Sequence, residues 1–347
     1  MTDLTELLAV PALDRRLEPA LRRALDGKAK PPGALGRIEE LALVLGLIQG
    51  RMQPMIERPV LLVFAGDHGL TRSGVAAFPP GVTVSMVDAL LAGKASANAF
   101  ARVVGVEVRV IDAGVAADLS HRSGLVQAKV GWGTADASVE PAMTRVQAEA
   151  ALLAGARVAV EAIANGADLI ALGEMGIGNS ASAALLMHRL APASLEQCVG
   201  QGAGHAPEGM ARKREVLAKA AARSDVTTPF DVLSQFGGYE IAMMAGGLLA
   251  AAHAGVPVLV DGFIGTAAAL LAVRLAPAAR HYCLFAHASA EAGHRLMLEA
   301  MEARPLLQLD MRLGEGTGAL LAVPLAKAAC ALLSEVADLS EVLEAAV

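Results

Sequence analysis

The feature that most constrains this sequence is a recurring unit. An unbroken apolar run stops at a glycine or an acidic residue, and a helical stripe follows. Residues 59–65 are the sharpest case, with PVLLVFA running straight into Gly66-Asp67-His68-Gly69. Such a run, bounded by turn residues, suits a strand buried on both faces. Residues 106–111 stop at Asp112-Ala113-Gly114, and 167–172 at Gly173-Glu174-Met175-Gly176. Residues 256–260 stop at Asp261-Gly262, and 282–286 at His287. Five strand–turn–helix units predict the α/β class: an open, mostly parallel sheet with helices on both faces. Their uneven spacing fits an open sheet better than a regular eight-stranded barrel. Polar residues at the C-terminal ends of such strands face the ligand crevice, which singles out Asp67 and His68 first.

Outside these units the chain reads as helical. Leu4, Leu7 and Leu8, then Leu17, Leu21 and Leu25, mark short peripheral helices. Pro31-Pro32-Gly33 fixes a turn, after which Leu35, Ile38, Leu41, Leu45 and Ile48 form a helical stripe. The apolar run 241–260 is long enough to raise a membrane span. It holds His253 and Pro257 and meets Asp261 at once, so it reads as a buried helix, a stop at Gly255 and a strand. No basic region precedes an apolar stretch at the N-terminus, so no signal peptide is expected. A soluble, cytoplasmic protein is the expectation.

Composition narrows the partners. Hydrophobic residues make up 54% and charged residues 18%, which argues against disorder. Aromatics are 3% and the net charge is −6, so there are few stacking platforms and no basic tail for nucleic acid. The three cysteines Cys198, Cys283 and Cys330 form no CxxC pair and read as buried apolar residues. Asp67 and His68 are adjacent and lack a third ligand. His287, Glu291 and His294 lack a zinc-hydrolase order. No metal or cofactor is expected.

Three segments carry chemistry. In the first, Gly173-Glu174-Met175-Gly176-Ile177-Gly178-Asn179-Ser180 sits between a strand and an alanine-rich helix. Glycines and a hydroxyl or amide at a helix start form an anion site; equally, they form an ordinary capped turn. The second is Gly200-Gln201-Gly202-Ala203-Gly204, before a helix over 208–223 carrying Lys213. Lys213 is either a phosphate contact or a solvated lysine beside Arg212 and Arg214. The third is Leu309-Asp310-Met311-Arg312-Leu313-Gly314-Glu315-Gly316-Thr317-Gly318, followed by an apolar helix of about four turns. Glycines on both sides leave Glu315 open to a ligand. It is either a general base or a cap for the N–H groups of the helix it precedes. Residues alone fit an enzyme or a non-catalytic nucleotide or small-anion binding module.

The third segment resembles the C-terminal signature of the nicotinate-nucleotide–dimethylbenzimidazole phosphoribosyltransferases. Further likenesses are PPG-x-LGR-x-E at 31–39, AGDHG at 65–69 and GEMGIGN at 173–179. D-x-L-x-x-x-GG-x-EIA at 231–242 and H-x-SAE-x-GH at 287–294 extend the resemblance over most of 31–323. It implies that Glu315 is the catalytic base, with Leu313 and Gly314 beside it. It implies that Phe78, Pro79, Ser85 and Met86 line the pocket for the aromatic base. Glu174 would lie toward the ribose. Gly176 and Gly178, with Lys213 and Ser289, would hold the phosphate, and Asp67, His68, Met175, Asn179, Gly202 and Asp261 would complete the substrate site.

The implied reaction passes the phosphoribosyl group of nicotinate mononucleotide to 5,6-dimethylbenzimidazole or a related base, within cobalamin nucleotide-loop assembly. The implied protein is a homodimer. Each chain would have a large α/β domain over 59–324 and a smaller helical one from 1–58 and 325–347. This chain departs from the family pattern at Ser85, where glutamine is usual, and at Gln201, where arginine is usual. It also has Gly93-Lys94-Ala95-Ser96-Ala97-Asn98 in place of a Gly-Gly-Ala-Ala-Ile-Asn run. The first and third departures bear on base choice and are expected to lie away from Glu315.

Overall fold

A computed structural model describes residues 3–345 apart from 203 and 205, so Ala203 of the glycine loop lies outside the described residues. The main sheet contains β1 (Pro59–Gly66), β2 (Glu107–Gly114), β3 (Leu125–Gln127), β4 (Leu169–Met175), β5 (Val258–Val260) and β6 (Cys283–Phe285). All pairs are parallel, in the order β3-β2-β1-β4-β5-β6. This is the open, doubly wound arrangement expected from the repeated units. The order reverses between β1 and β4, so their C-terminal ends frame a crevice. Of these strands, β3 escapes sequence reading: three residues inside a polar loop are too few to show a period. A second, two-stranded sheet pairs β7 (His287–Ala288) with β8 (Leu307–Gln308).

Alternation along β1 assigns the two faces. Val60, Leu62 and Phe64 enter one hydrophobic cluster, with helices Arg145–Ala164, Asn179–Leu190, Tyr239–His253 and Phe263–Leu275. Leu61, Val63 and Ala65 enter the other, with helices Arg37–Ile48, Ser96–Val104 and Thr317–Ser334. Helices Glu18–Asp26 and Arg37–Ile48 therefore pack with the C-terminal helix on the second face, whereas Leu4–Leu8 joins the first through Leu7. Lys28 ties to Asp338 there, at 3.1 Å. Thr317–Ser334 is the one described helix long and apolar enough to cross a membrane, and here it packs into the core through Ala319, Leu320, Val323 and Ala326. It has 18 residues, about five turns rather than four.

The first face depends on close helix packing. A Cβ on Gly155 would lie 1.9 Å from the Met243 carbonyl oxygen, and one on Gly246 would lie 1.9 Å from that of Leu152. Helices Arg145–Ala164 and Tyr239–His253 thus meet backbone to backbone, and backbone cannot step aside as a side chain can. Neighbouring Gly247 has no contact nearer than 3.5 Å. Gly246→Ala should therefore lose about 1–3 kcal/mol in urea unfolding, while Gly247→Ala should be neutral or gain up to about 1 kcal/mol of helix propensity.

Candidate active site

At the C-terminal ends of β4 and β5 lies a cavity of about 270 Å³. Phe78, Met86, Glu174, Met175, Gly176, Gly178, Asn179, Gly202, Asp261, Ser289, Leu313, Gly314 and Glu315 all line it. Segments more than 200 residues apart in sequence thus converge on one space. Phe78, Met86 and Met175 make one wall apolar, and Phe263 and Ile264 add to the lining.

Five expected residues stand elsewhere. Asp67 is buried and accepts from the Ala116 N–H at 2.9 Å, ordering the loop after β2. His68 Nε2 pairs with Glu240 Oε1 at 2.6 Å behind the cavity. Burial opposes charge on His68, but Glu240 and then Asp67 raise its pKa overall. Pro79 is exposed. Ser85 is exposed on helix Val82–Leu91, with Oγ 3.5 Å from the Gly81 carbonyl. Lys213 is 1% exposed, so the solvated-lysine alternative falls away. Its Nζ donates to Ser180 Oγ at 3.0 Å and the Gly200 carbonyl at 2.9 Å, directly beneath the glycine loop. Burial lowers its pKa to about 8, with Glu291 pulling the other way.

The C-terminal motif folds differently from a simple helix cap. Gly314, Glu315 and Gly316 have φ of +93°, +60° and +81°, three left-handed residues in a row. Glycine takes this conformation freely and glutamate does not. A Cβ on Gly314 would also lie 2.3 Å from Glu174 Oε1. Glu315 does not cap the helix it precedes. Asp261 does so: its Oδ2 accepts from Gly316 N–H at 3.1 Å, and its Oδ1 from Ala319 N–H at 3.0 Å. Glu315 Oε2 instead accepts from Ala97 N–H at 3.2 Å, at the start of helix Ser96–Val104.

The atypical 93–98 segment therefore touches Glu315, contrary to expectation. The contact is through backbone, which a change of side chain leaves in place. One oxygen of Glu315 is anchored in this way, and Oε1 is available to a ligand. Burial raises the Glu315 pKa, Ala97 N–H opposes this, and Asp261 adds to it.

The opposite end suits an anion. Gly178, Asn179 and Ser180 open helix Asn179–Leu190 onto the cavity, bringing its positive end there. Ser289 and Gly202 stand nearby, with Lys213 below. Sequence reasoning missed Arg312 as a site residue. It lines the cavity and donates to the Gly202 carbonyl at 3.3 Å. Its place two residues before Gly314 was the available signal. His287 and Glu291 also line the cavity, as parts of the H-x-SAE segment. Among the described residues no group of three His, Cys, Asp or Glu is arranged to hold a metal.

Glu174 gives a measurable consequence. Its Oε2 accepts from Asn179 Nδ2, and its pKa rises from 4.5 to about 8, first through burial and then through Asp261 and Glu240. Between those values the unfolded chain has lost a proton that the folded chain retains. Stability should therefore fall as pH rises through this window. Glu174→Gln keeps an acceptor for Asn179 and removes the titration. It should flatten the slope between pH 5 and 8 and add on the order of 4 kcal/mol at pH 8, measured by urea unfolding at several pH values.

Comparison with known proteins agrees with this geometry. The family described as Phosphoribosyltransferase matches residues 10–343. The nicotinate-nucleotide–dimethylbenzimidazole phosphoribosyltransferase of Cupriavidus taiwanensis is 51% identical over 332 residues, covering 95% of this chain and 96% of that protein. The Ralstonia nicotianae protein of the same name is 50% identical, covering 94% of each. The crystal structure of CobT from Thermus thermophilus superposes with a TM-score of 0.90 at 45% identity, covering 94% of this chain and 98% of that one. The chain belongs to the nicotinate-nucleotide–dimethylbenzimidazole phosphoribosyltransferase family and is a transferase of the phosphoribosyltransferase class rather than a non-catalytic binding module.

Proposed function

We propose that this protein transfers the 5-phosphoribosyl group of nicotinate mononucleotide to 5,6-dimethylbenzimidazole or a related base. The products are nicotinate and α-ribazole 5′-phosphate, for cobalamin nucleotide-loop assembly, and the working form is a cytoplasmic homodimer. One observation carries this reading: a single cavity has a half-anchored carboxylate at one end and a helix N-terminus with a buried lysine at the other. The first suits proton removal from an azole, and the second suits a phosphate.

The chemistry then follows. The C1′–N bond of the nucleotide breaks and its electron pair returns to the pyridine nitrogen, which leaves neutral. One ring nitrogen of the incoming base attacks C1′ from the opposite face, giving the α linkage. Its other ring nitrogen passes a proton to Glu315 Oε1, while Ala97 N–H holds Oε2. Asp261 lines the same space and would favour positive charge developing on the ribose, and Glu174, which holds its proton in the empty site, would join it as the cationic nucleotide draws its pKa down. The apolar wall of Phe78, Met86 and Met175 suits a flat, uncharged base. The phosphate end anchors the ribose, so binding energy can be used in positioning.

Release of nicotinate on mixing the protein with nicotinate mononucleotide and 5,6-dimethylbenzimidazole tests the reading, and its absence at any base concentration would sink it. Glu315→Gln should keep the fold and lose about 10²–10⁴-fold in kcat. Retention of more than about half the turnover, with chemistry rate-limiting, would remove Glu315 from the base role. Lys213→Ala should raise KM for the mononucleotide by about 10–100-fold with a smaller change in kcat. An unchanged KM would confine Lys213 to holding Ser180 and Gly200.

A further inference from the structure

The two ends of the cavity are joined by hydrogen bonds through residues that do no chemistry in the reaction above. Ser289 N–H donates to His294 Nδ1 at 2.8 Å. His294 Nε2 lies 2.9 Å from Thr266 Oγ1. Thr266 Oγ1 lies 3.2 Å from the Asp261 carbonyl oxygen. The Asp261 carboxylate in turn holds Gly316 and Ala319, at the start of the helix that follows Glu315. His294 and Thr266 are each 1% exposed.

The proton positions along this path are determined by the partners. Burial and then nearby His287 lower the His294 pKa to about 3, so the ring is neutral. A neutral ring that accepts at Nδ1 carries its one proton on Nε2 and donates it to Thr266 Oγ1. The threonine hydroxyl then has one proton left, and the carbonyl of Asp261 is its acceptor. All three bonds run in one direction, from the backbone of Ser289 to the backbone of Asp261. No step needs an ionised group, so the path is the same across the working pH range.

We propose that His294 and Thr266 are positioning residues that couple the Ser289 end of the cavity to the Asp261–Glu315 end, so that occupation of the phosphate end sets the placement of the base carboxylate. This rests on the reaction proposed above. Neither residue touches substrate. Each acts through another: His294 by fixing the backbone of Ser289, and Thr266 by fixing that of Asp261. The phosphate of the nucleotide would then contribute to turnover as well as to affinity, because remote binding energy can be used to position reacting groups.

The test compares nicotinate mononucleotide with nicotinate riboside, which lacks the phosphate, at saturating 5,6-dimethylbenzimidazole. Wild-type kcat should be about tenfold or more higher for the mononucleotide. In Thr266→Val the hydroxyl is gone but the shape is kept. The mononucleotide kcat should fall toward that of the riboside, and the riboside kcat should stay within about twofold. His294→Gln can still donate to Thr266 but cannot accept from Ser289 in the same way, and should collapse the ratio too. Thr266→Ser restores the hydroxyl and should restore the ratio. Equal losses for both substrates in Thr266→Val would overturn the coupling, as would an unchanged ratio or a wild-type enzyme with no phosphate effect on kcat. If Thr266→Val does not fold, His294→Gln and Thr266→Ser give the same decision. A wild-type enzyme that releases no nicotinate from the mononucleotide overturns the proposed reaction itself, a different result from an active enzyme with an unchanged ratio.

Discussion

The site depends on one buried carboxylate with both oxygens occupied. Asp261 follows β5 and receives two N–H groups from the start of helix Thr317–Ser334. Those groups have no partner within their own helix, so leaving them unpaired inside the protein would be costly. His287 Nε2 approaches the same carboxylate at 3.3 Å. A Cβ on Gly318 would fall 2.0 Å from the His287 ring, so only glycine lets helix, carboxylate and imidazole meet. Once this junction is made, the turn before the helix has one course, and Glu315 is carried into the cavity. The helix also packs on the sheet face that helices Glu18–Asp26 and Arg37–Ile48 cover, so the site and the second core form together.

Electrostatics at the two ends are opposed. Glu174, Asp261 and Glu315 line one region, and burial together with mutual repulsion raises the pKa of Glu174 and Glu315. Grouping buried carboxylates is unfavourable for folding and favourable for a ligand that becomes positive on reaction. The other end offers a helix N-terminus, Lys213 and Arg312. Glu291 sits beside these cations, and burial raises its pKa while Lys213 and then the Gly202 backbone oppose it. A nucleotide whose phosphate is negative and whose glycosidic bond is cationic matches this polarity along its length. The overall charge of −6 is no obstacle to an anion there, because local N–H groups and two basic side chains determine the field at that end.

Of the three described non-glycine residues with positive φ, Glu302, Asp310 and Glu315, the last lies in the cavity. Glu315 adopts φ +60° between two left-handed glycines, a conformation that glutamate rarely takes. Its neighbours over-determine it: Gly316 is bonded to Asp261, Thr317 N–H returns to the Gly314 carbonyl at 3.1 Å, and Ala97 N–H holds the side chain. A residue held this way spends little freedom on reaching its reacting geometry, which is the usual use of backbone strain at functional sites.

Much of this was legible in the residues. Runs such as PVLLVFA specify strands buried on both faces, and polar stops at Asp67, Glu174 and Asp261 mark their C-terminal ends, because apolar patterning and turn chemistry are local properties of the chain. The glycine motifs pointed, for the same reason, to segments that line one cavity. What only the tertiary structure decided was the pairing between them. Asp261 caps a helix start 55 residues away, and the carboxylate of Glu315 is held from 218 residues away by a segment whose side chains gave no sign of it. Lys213 sits among basic neighbours in sequence yet is buried, since the direction a helix faces depends on what packs against it. A cap or an anchor is a matter of distance in space, and the chain's own order carries that information only where the partners are close along it.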